Sequence, residues 1–231
     1  MKIAIIVPME IEAAYYRKYF HSEDKEMFGS TVFEHFSVNG NDVYLGLSGI
    51  GKVQAAMNLA SLLSNVDIDM IFMTGSAGSM NPDVHKEDLI LPSEFAYHDA
   101  HNTMAGDYVE GQIPQQPARF KLDSPERAKF GQYLKSKGVD YKEGLVVTGD
   151  SFIASDAQKK TIKKNFPDAL GVEMEGAAFA QVAYHFNKHL IAMRAISDNG
   201  DEDANEDFDA FVKKVGAKAA KLICDYVEEI D

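Results

Sequence analysis

No apolar run in the 231-residue sequence approaches the roughly 20 residues that a membrane-spanning helix needs. The N-terminal apolar stretch Ile3–Val7 runs straight into Met9-Glu10-Ile11-Glu12, too short for the apolar region of a signal peptide, so no export signal is expected. Cysteine occurs once, as Cys224. An internal disulfide is therefore impossible, and no Cys/His spacing suits zinc. The expectation is a cytoplasmic location, with Cys224 as a buried, unreactive helix residue. Positive charge is scarce: 23 Lys and Arg stand against 36 Asp and Glu, for a formal net charge of −13. Nucleic acid and anionic membranes both call for a basic face, so neither is expected as a partner. An acidic surface serves solubility instead. Only Arg17, Arg119, Arg127 and Arg194 are arginines. Arginine is favoured where phosphate is gripped in a planar, bidentate way, so the chain is poorly stocked for a phosphorylated substrate. Repeats, low-complexity tracts and linkers are absent, and we expect one domain over residues 1–231.

What is present alternates. Met1–Val7 reads as a short buried strand, and Glu10 to about Phe20 as a helix. Strands near Ser30–Val38 and Asp42–Ser48 flank Gly40-Asn41, a hairpin signal. Gly49-Ile50-Gly51 opens a helix with Val53, Ala56, Met57, Ala60 and Leu63 on one face. Asp69–Thr74, Asp88–Tyr97, Gly144–Val147 and Leu190–Ile196 read as further strands. Ser124–Lys137, Val172–Phe186 and Phe208–Ile230 read as helices, and His98 to about Pro117 as a long loop. The pattern predicts an α/β fold, a three-layer α/β/α sandwich around a central mixed β-sheet. Ligands in such sheets bind beyond the carboxyl ends of strands. Those ends are Met9–Glu12, Gly75–Gly78, Thr148–Ile153 and Ser197-Asp198.

Those segments hold the candidate chemistry. Arg194 interrupts a buried strand, and a buried charge must meet a carboxylate, in a structural ion pair or in a polar site. Asp198 is a turn aspartate by its Asp198-Asn199-Gly200 context, or an acid that protonates a leaving group. Glu12 reads first as a surface glutamate of a helix's first turns, and second as a general base. Glu173 and Glu175, two apart on an expected helix, should face different directions, so at most one should face a given site. A carboxylate there could grip sugar hydroxyls. Gly75-Ser76-Ala77-Gly78 after a strand suggests close backbone approach to a ligand, without P-loop or dinucleotide spacing. The acidic run 198–209 lacks the glycine and glutamate positions of a calcium loop, so no metal is expected.

Eight segments in register carry a resemblance: MKIAIIVPMEIE (1–12), SGIGK (48–52), TGSAG (74–78), YHDA (97–100), GQIP (111–114), TGDSFI (148–153), GVEMEGA (171–177) and RAISD (194–198). Together they resemble the bacterial 5′-methylthioadenosine/S-adenosylhomocysteine nucleosidases of the purine nucleoside phosphorylase superfamily, over nearly the whole chain. The resemblance implies a nucleoside phosphorylase-like fold and hydrolysis of an adenine nucleoside by water, without cofactor or metal. It implies that Glu12 activates the water, with Arg194 and Glu175 helping to hold it. Asp198, oriented by Ser197, would protonate adenine N7. Phe152 would stack on adenine, and the Ile153 backbone would read its edge. Met174 and Glu175 would bind the ribose beside Glu173, with Ser76, Ala77 and Gly78 beneath the sugar. Met9, Ile50 and Phe208 would line the pocket for the 5′ substituent. A homodimer is implied, in which the 97–114 loop of one chain completes the pocket of the other.

Water or phosphate as nucleophile is the main fork. The related phosphorylases carry a phosphate-binding arginine on the strand before the glycine-serine segment; here that stretch is Ile71-Phe72-Met73-Thr74. Together with the negative Glu12, this favours hydrolysis over a phosphorolytic purine nucleoside phosphorylase. A non-catalytic adenosine-binding protein would be expected to lack Glu12 or Asp198. The chain departs from the family at Pro8, at His101-Asn102-Thr103-Met104-Ala105-Gly106 and at Asn199-Gly200. The second departure bears on the breadth of 5′ substituents accepted.

Overall fold

The computed structural model describes residues 1–20, 24–199 and 208–230. β1 (Lys2–Val7) leads through Pro8 and Met9 into α1 (Glu10–Tyr19). β2 (Asp24–Phe28), β3 (Thr31–Val38) and β4 (Asn41–Leu47) form an antiparallel meander. The tight turn between the last two is made by Asn39 and Gly40, one residue earlier than the sequence suggested. Both sit at positive φ, 47° and 82°, the conformation that two-residue hairpin turns demand. There follow α2 (Lys52–Leu63), β5 (Met70–Ser79), β6 (Leu89–Tyr97), β7 (Phe120–Lys121), α3 (Pro125–Ser136) and β8 (Lys142–Thr148). α4 (Asp156–Asn165), β9 (Ala169–Glu173), α5 (Gly176–His185), β10 (Leu190–Asp198) and α6 (Phe208–Glu229) complete the order.

Among the described residues, ten strands join one mixed sheet. β4, β1, β5 and β10 run parallel. β10 also pairs antiparallel with β6; β6, β8 and β9 are parallel, and β9 returns antiparallel against the end of β5. Five strands thus close a ring, and the sheet curls rather than lying open. Successive residues of β1 serve the two faces: Ala4 and Ile6 pack with α2 and α5, while Ile3, Ile5 and Val7 pack with α1, α3 and α6. A strand buried on both faces reads as a continuous apolar run, which is why it was legible. Cys224 is buried among these side chains, and burial pushes its thiol up. No helix of the described residues is long and apolar enough to cross a membrane.

The stretch read as one helix from Val172 is two elements. β9 ends at Glu173, Met174 and Glu175 make the turn, and α5 begins at Gly176. Glu173 and Glu175 therefore do not point apart on a helix. The sequence also left β2, β7 and α4 unread.

Candidate active site

Arg194 lies in β10, in parallel register with Gly75 of β5, and is fully buried. Its Nη2 donates to Glu173 Oε2 and, at 3.3 Å, to Glu175 Oε2. Both glutamates thus converge on one guanidinium, against the expectation that they diverge. The reason is local: in a strand end followed by a turn, residues two apart share a face. Gly75 makes the approach possible. A Cβ there would stand 2.0 Å from Arg194 Nη1 and 3.2 Å from Glu12 Oε1. The close approach foreseen at this glycine is made by a side chain of the protein itself. Nη1 and Nε of Arg194 have no hydrogen-bond partner among the described residues.

Glu12 is 3% exposed, so the surface reading fails. It sits in the first turn of α1 and reaches back: Oε2 accepts from the Met9 N–H at 3.0 Å, and Oε1 from the Ser76 N–H at 3.1 Å. α6 closes over it, with Gly216 leaving room beside its side chain. Burial pushes its carboxyl up to about 7, against the pull of Arg194 and the two backbone donors. Glu175 is also raised to about 7, by burial first and by the charge of Glu173 next, against Arg194. Its Oε1 accepts from the Gly51 N–H at 3.0 Å. Burial works against the charge on Arg194, but Glu173, Glu175 and Glu12 outweigh it and hold it cationic. Facing one cation, Glu12 and Glu175 change charge near neutral pH, the range useful to an acid–base catalyst.

Glu173 is structural as well as local to the site. It accepts from the N–H groups of Glu175 (3.0 Å) and Gly176 (2.8 Å), so it caps the N-terminus of α5. Thr148, at the end of β8, donates to Glu173 and accepts from the Ala177 N–H at 2.8 Å. The sequence singled out Thr148 only as the first residue of the 148–153 segment.

At the end of β10, Ser197 Oγ donates to Asp198 Oδ2 at 2.7 Å, and both residues are buried. Asp198 closes a small cavity with Gly78, Phe152, Ile153, Glu173 and Met174, all foreseen, and with Ser151 and Val172, which were not. Its volume is about 30 Å³. Ligand pockets start at roughly 300 Å³, so a ring system enters only if the wall moves. Phe152, 43% exposed, is the largest side chain of that wall. Ser76 and Ala77 continue the floor along β5. Met9 is half-buried and Ile50 is 52% exposed, and neither lines this cavity. The side chain of Phe208 and the acidic run from Gly200 lie outside the described residues. No group of three His, Cys, Asp or Glu among the described residues has the geometry to hold a metal ion.

The Phosphorylase superfamily model matches residues 2–228. A 5′-methylthioadenosine/S-adenosylhomocysteine nucleosidase from Haemophilus influenzae (strain PittEE) is 36% identical over all of both chains. The nucleosidase of the same name from S. pneumoniae, solved with a transition-state inhibitor, superposes with a TM-score of 0.92 at 35% identity, covering all of both chains. Futalosine hydrolase from Helicobacter pylori superposes with a TM-score of 0.93 at 29% identity, covering 100% of this chain and 98% of that one. The chain therefore belongs to the phosphorylase superfamily, and within it to the 5′-methylthioadenosine/S-adenosylhomocysteine nucleosidase family.

Proposed function

We propose that this protein hydrolyses the N-glycosidic bond of 5′-methylthioadenosine and S-adenosylhomocysteine, releasing adenine and the 5-substituted thioribose. The observation that carries the reading is Glu12: a buried carboxylate with a carboxyl raised to about 7, held between Met9 and Ser76 beside a buried guanidinium. A negative group there would repel phosphate and suits a water to be deprotonated. β5 reinforces this, because its Thr74 hydroxyl is paired with the Tyr16 hydroxyl at 3.0 Å and no arginine precedes it.

In the proposed reaction the C1′–N9 bond lengthens first, giving an oxocarbenium-like sugar. Glu12, with Arg194, holds and deprotonates the water. Glu175 grips the ribose hydroxyls, and Met174 packs on the sugar above Ser76, Ala77 and Gly78. Glu173 fixes Arg194 and the start of α5. Asp198, held by Ser197, protonates N7 of the departing purine, while Phe152 stacks on its ring and the Ile153 backbone reads its edge. General acid–base steps of this kind contribute roughly 10²–10⁴-fold each.

The protein is proposed to be a single-domain cytoplasmic homodimer. The continuous sheet supports the first point. For the dimer, Met104 of the 97–114 loop is 98% exposed, and Val53, Met57 and Tyr184 leave apolar surface on α2 and α5. Apolar surface of this kind favours association. Sedimentation should give twice the chain mass of 25.5 kDa.

Adenine release from 5′-methylthioadenosine, S-adenosylhomocysteine, adenosine and inosine tests the substrate class. Turnover of the first two, with inosine inert, is expected. Inertness of both thio-nucleosides would refute the reading, and a futalosine-type nucleoside would be the next substrate to try, given the likeness to that hydrolase.

A further inference from the structure

Three of the eight matching segments, SGIGK, YHDA and TGDSFI, each hold a charged side chain that the chemistry above does not use. The structure joins them through three charged side chains. Lys52 Nζ lies 2.7 and 2.6 Å from the two carboxylate oxygens of Asp99, and 3.6 Å from Asp150 Oδ2. Asp150 Oδ1 accepts from the Lys52 backbone N–H at 2.8 Å, so it caps α2 from 98 residues away. Asp99 Oδ2 accepts in turn from the Asp150 N–H at 2.9 Å. The loops after β4, β6 and β8 are thereby tied together at the start of α2.

The tie reaches the buried cluster through one residue. Gly51, next to Lys52, donates its N–H to Glu175 Oε1. It does so at φ 97°, where a side chain would be strained and its Cβ would meet Asp150 Oδ1 at 3.1 Å. Stability alone does not account for the arrangement, because partly exposed ion pairs add little to it. We propose that Lys52, Asp99 and Asp150 are positioning residues, which fix the Gly51 N–H on Glu175 and so orient the carboxylate that meets the ribose. The inference rests on the role of Glu175 in the proposed reaction.

Adenine release is measured for the parent, Lys52→Met, Lys52→Arg, Glu175→Ala and the double variant Lys52→Met/Glu175→Ala. Misplacement by about 1 Å can cost about 100-fold, so Lys52→Met is expected to lower kcat/KM by about 10- to 100-fold. Its melting temperature should stay close to that of the parent. Lys52→Arg, which keeps the cation, should recover most of the loss. In the Glu175→Ala background the same Lys52→Met change should cost less than about 3-fold, since the group it orients is gone. Equal losses in both backgrounds, or no loss in the parent background, overturn the proposal. If Lys52→Met does not fold, the isosteric Asp99→Asn replaces it in the same cycle under the same criteria. A parent enzyme that releases no adenine overturns the reaction itself, and with it this inference.

Discussion

Replacing Arg194 by Met keeps a long side chain but removes the only cation in contact with Glu173 and Glu175 among the described residues. The site is fully buried, so water cannot replace the lost charge. Breaking a buried ion pair by removing one partner costs about 3–5 kcal/mol. For a chain of this size each kcal/mol moves Tm by about 2–4 °C, so a fall of about 6–20 °C is expected. The loss should depend on pH. Without the guanidinium, Glu175 and Glu12 are pushed further above their unfolded values, so the folded variant binds more protons than the unfolded chain. Their contribution to stability is then present at low pH and is lost as pH rises. The Tm gap between variant and parent should narrow on going from about pH 8 to about pH 5. Melting followed by circular dichroism at both pH values reads this out. A gap below about 2 °C, or one that does not change with pH, would refute the electrostatic reasoning.

Gly75→Ala forces a methyl group to within 2.0 Å of Arg194 Nη1 and 3.3 Å of Cζ, and that guanidinium is fully buried. Overpacking should cost about 1–3 kcal/mol in a melt and at least about 100-fold in kcat/KM, and parent-like turnover would contradict the packing. Glu12→Gln should still bind substrate in a calorimetric titration but lose about 10²–10⁴-fold in turnover. In the parent, kcat/KM should rise with pH to a plateau above about 7, where Glu12 and Glu175 are ionised, and in the variant the limb should shrink to the part that Glu175 carries. Because the Glu12 carboxyl is raised, its favourable contribution to stability is present below about pH 4.5 and lost as pH rises to about 7. The Gln variant should therefore gain Tm relative to the parent above that pH. Asp198→Asn should keep the fold and lose about 10²–10⁴-fold in adenine release, and near-parental rates would remove it as the acid.

Sequence and structure diverge where local pattern conflicts with burial. β1 was legible because an apolar run with a proline at its end has few other readings. Arg194 was legible as paired because a charge within Leu190–Ile196 cannot remain alone. Glu12 carries no such mark. A glutamate in the first turn of a helix is ordinary, and only β5 and α6, distant in sequence, bury it. Glu173 and Glu175 were misread because β9 has only five residues and runs almost directly into an alanine-rich helix, so the helical pattern swallowed the strand. The Lys52–Asp99–Asp150 tie has no local signature at all. Lys52 opens α2 while Asp99 and Asp150 lie in separate loops, and only their presence in three matching segments marked them.

The most direct test of hydrolysis is the identity of the sugar product when 5′-methylthioadenosine is turned over in buffer rich in inorganic phosphate, read by phosphorus NMR and mass spectrometry. Free 5-methylthioribose, formed at a rate independent of phosphate, is the expected result. A 5-methylthioribose 1-phosphate signal, or adenine release only when phosphate is present, would contradict the assignment of Glu12 as the base that activates water.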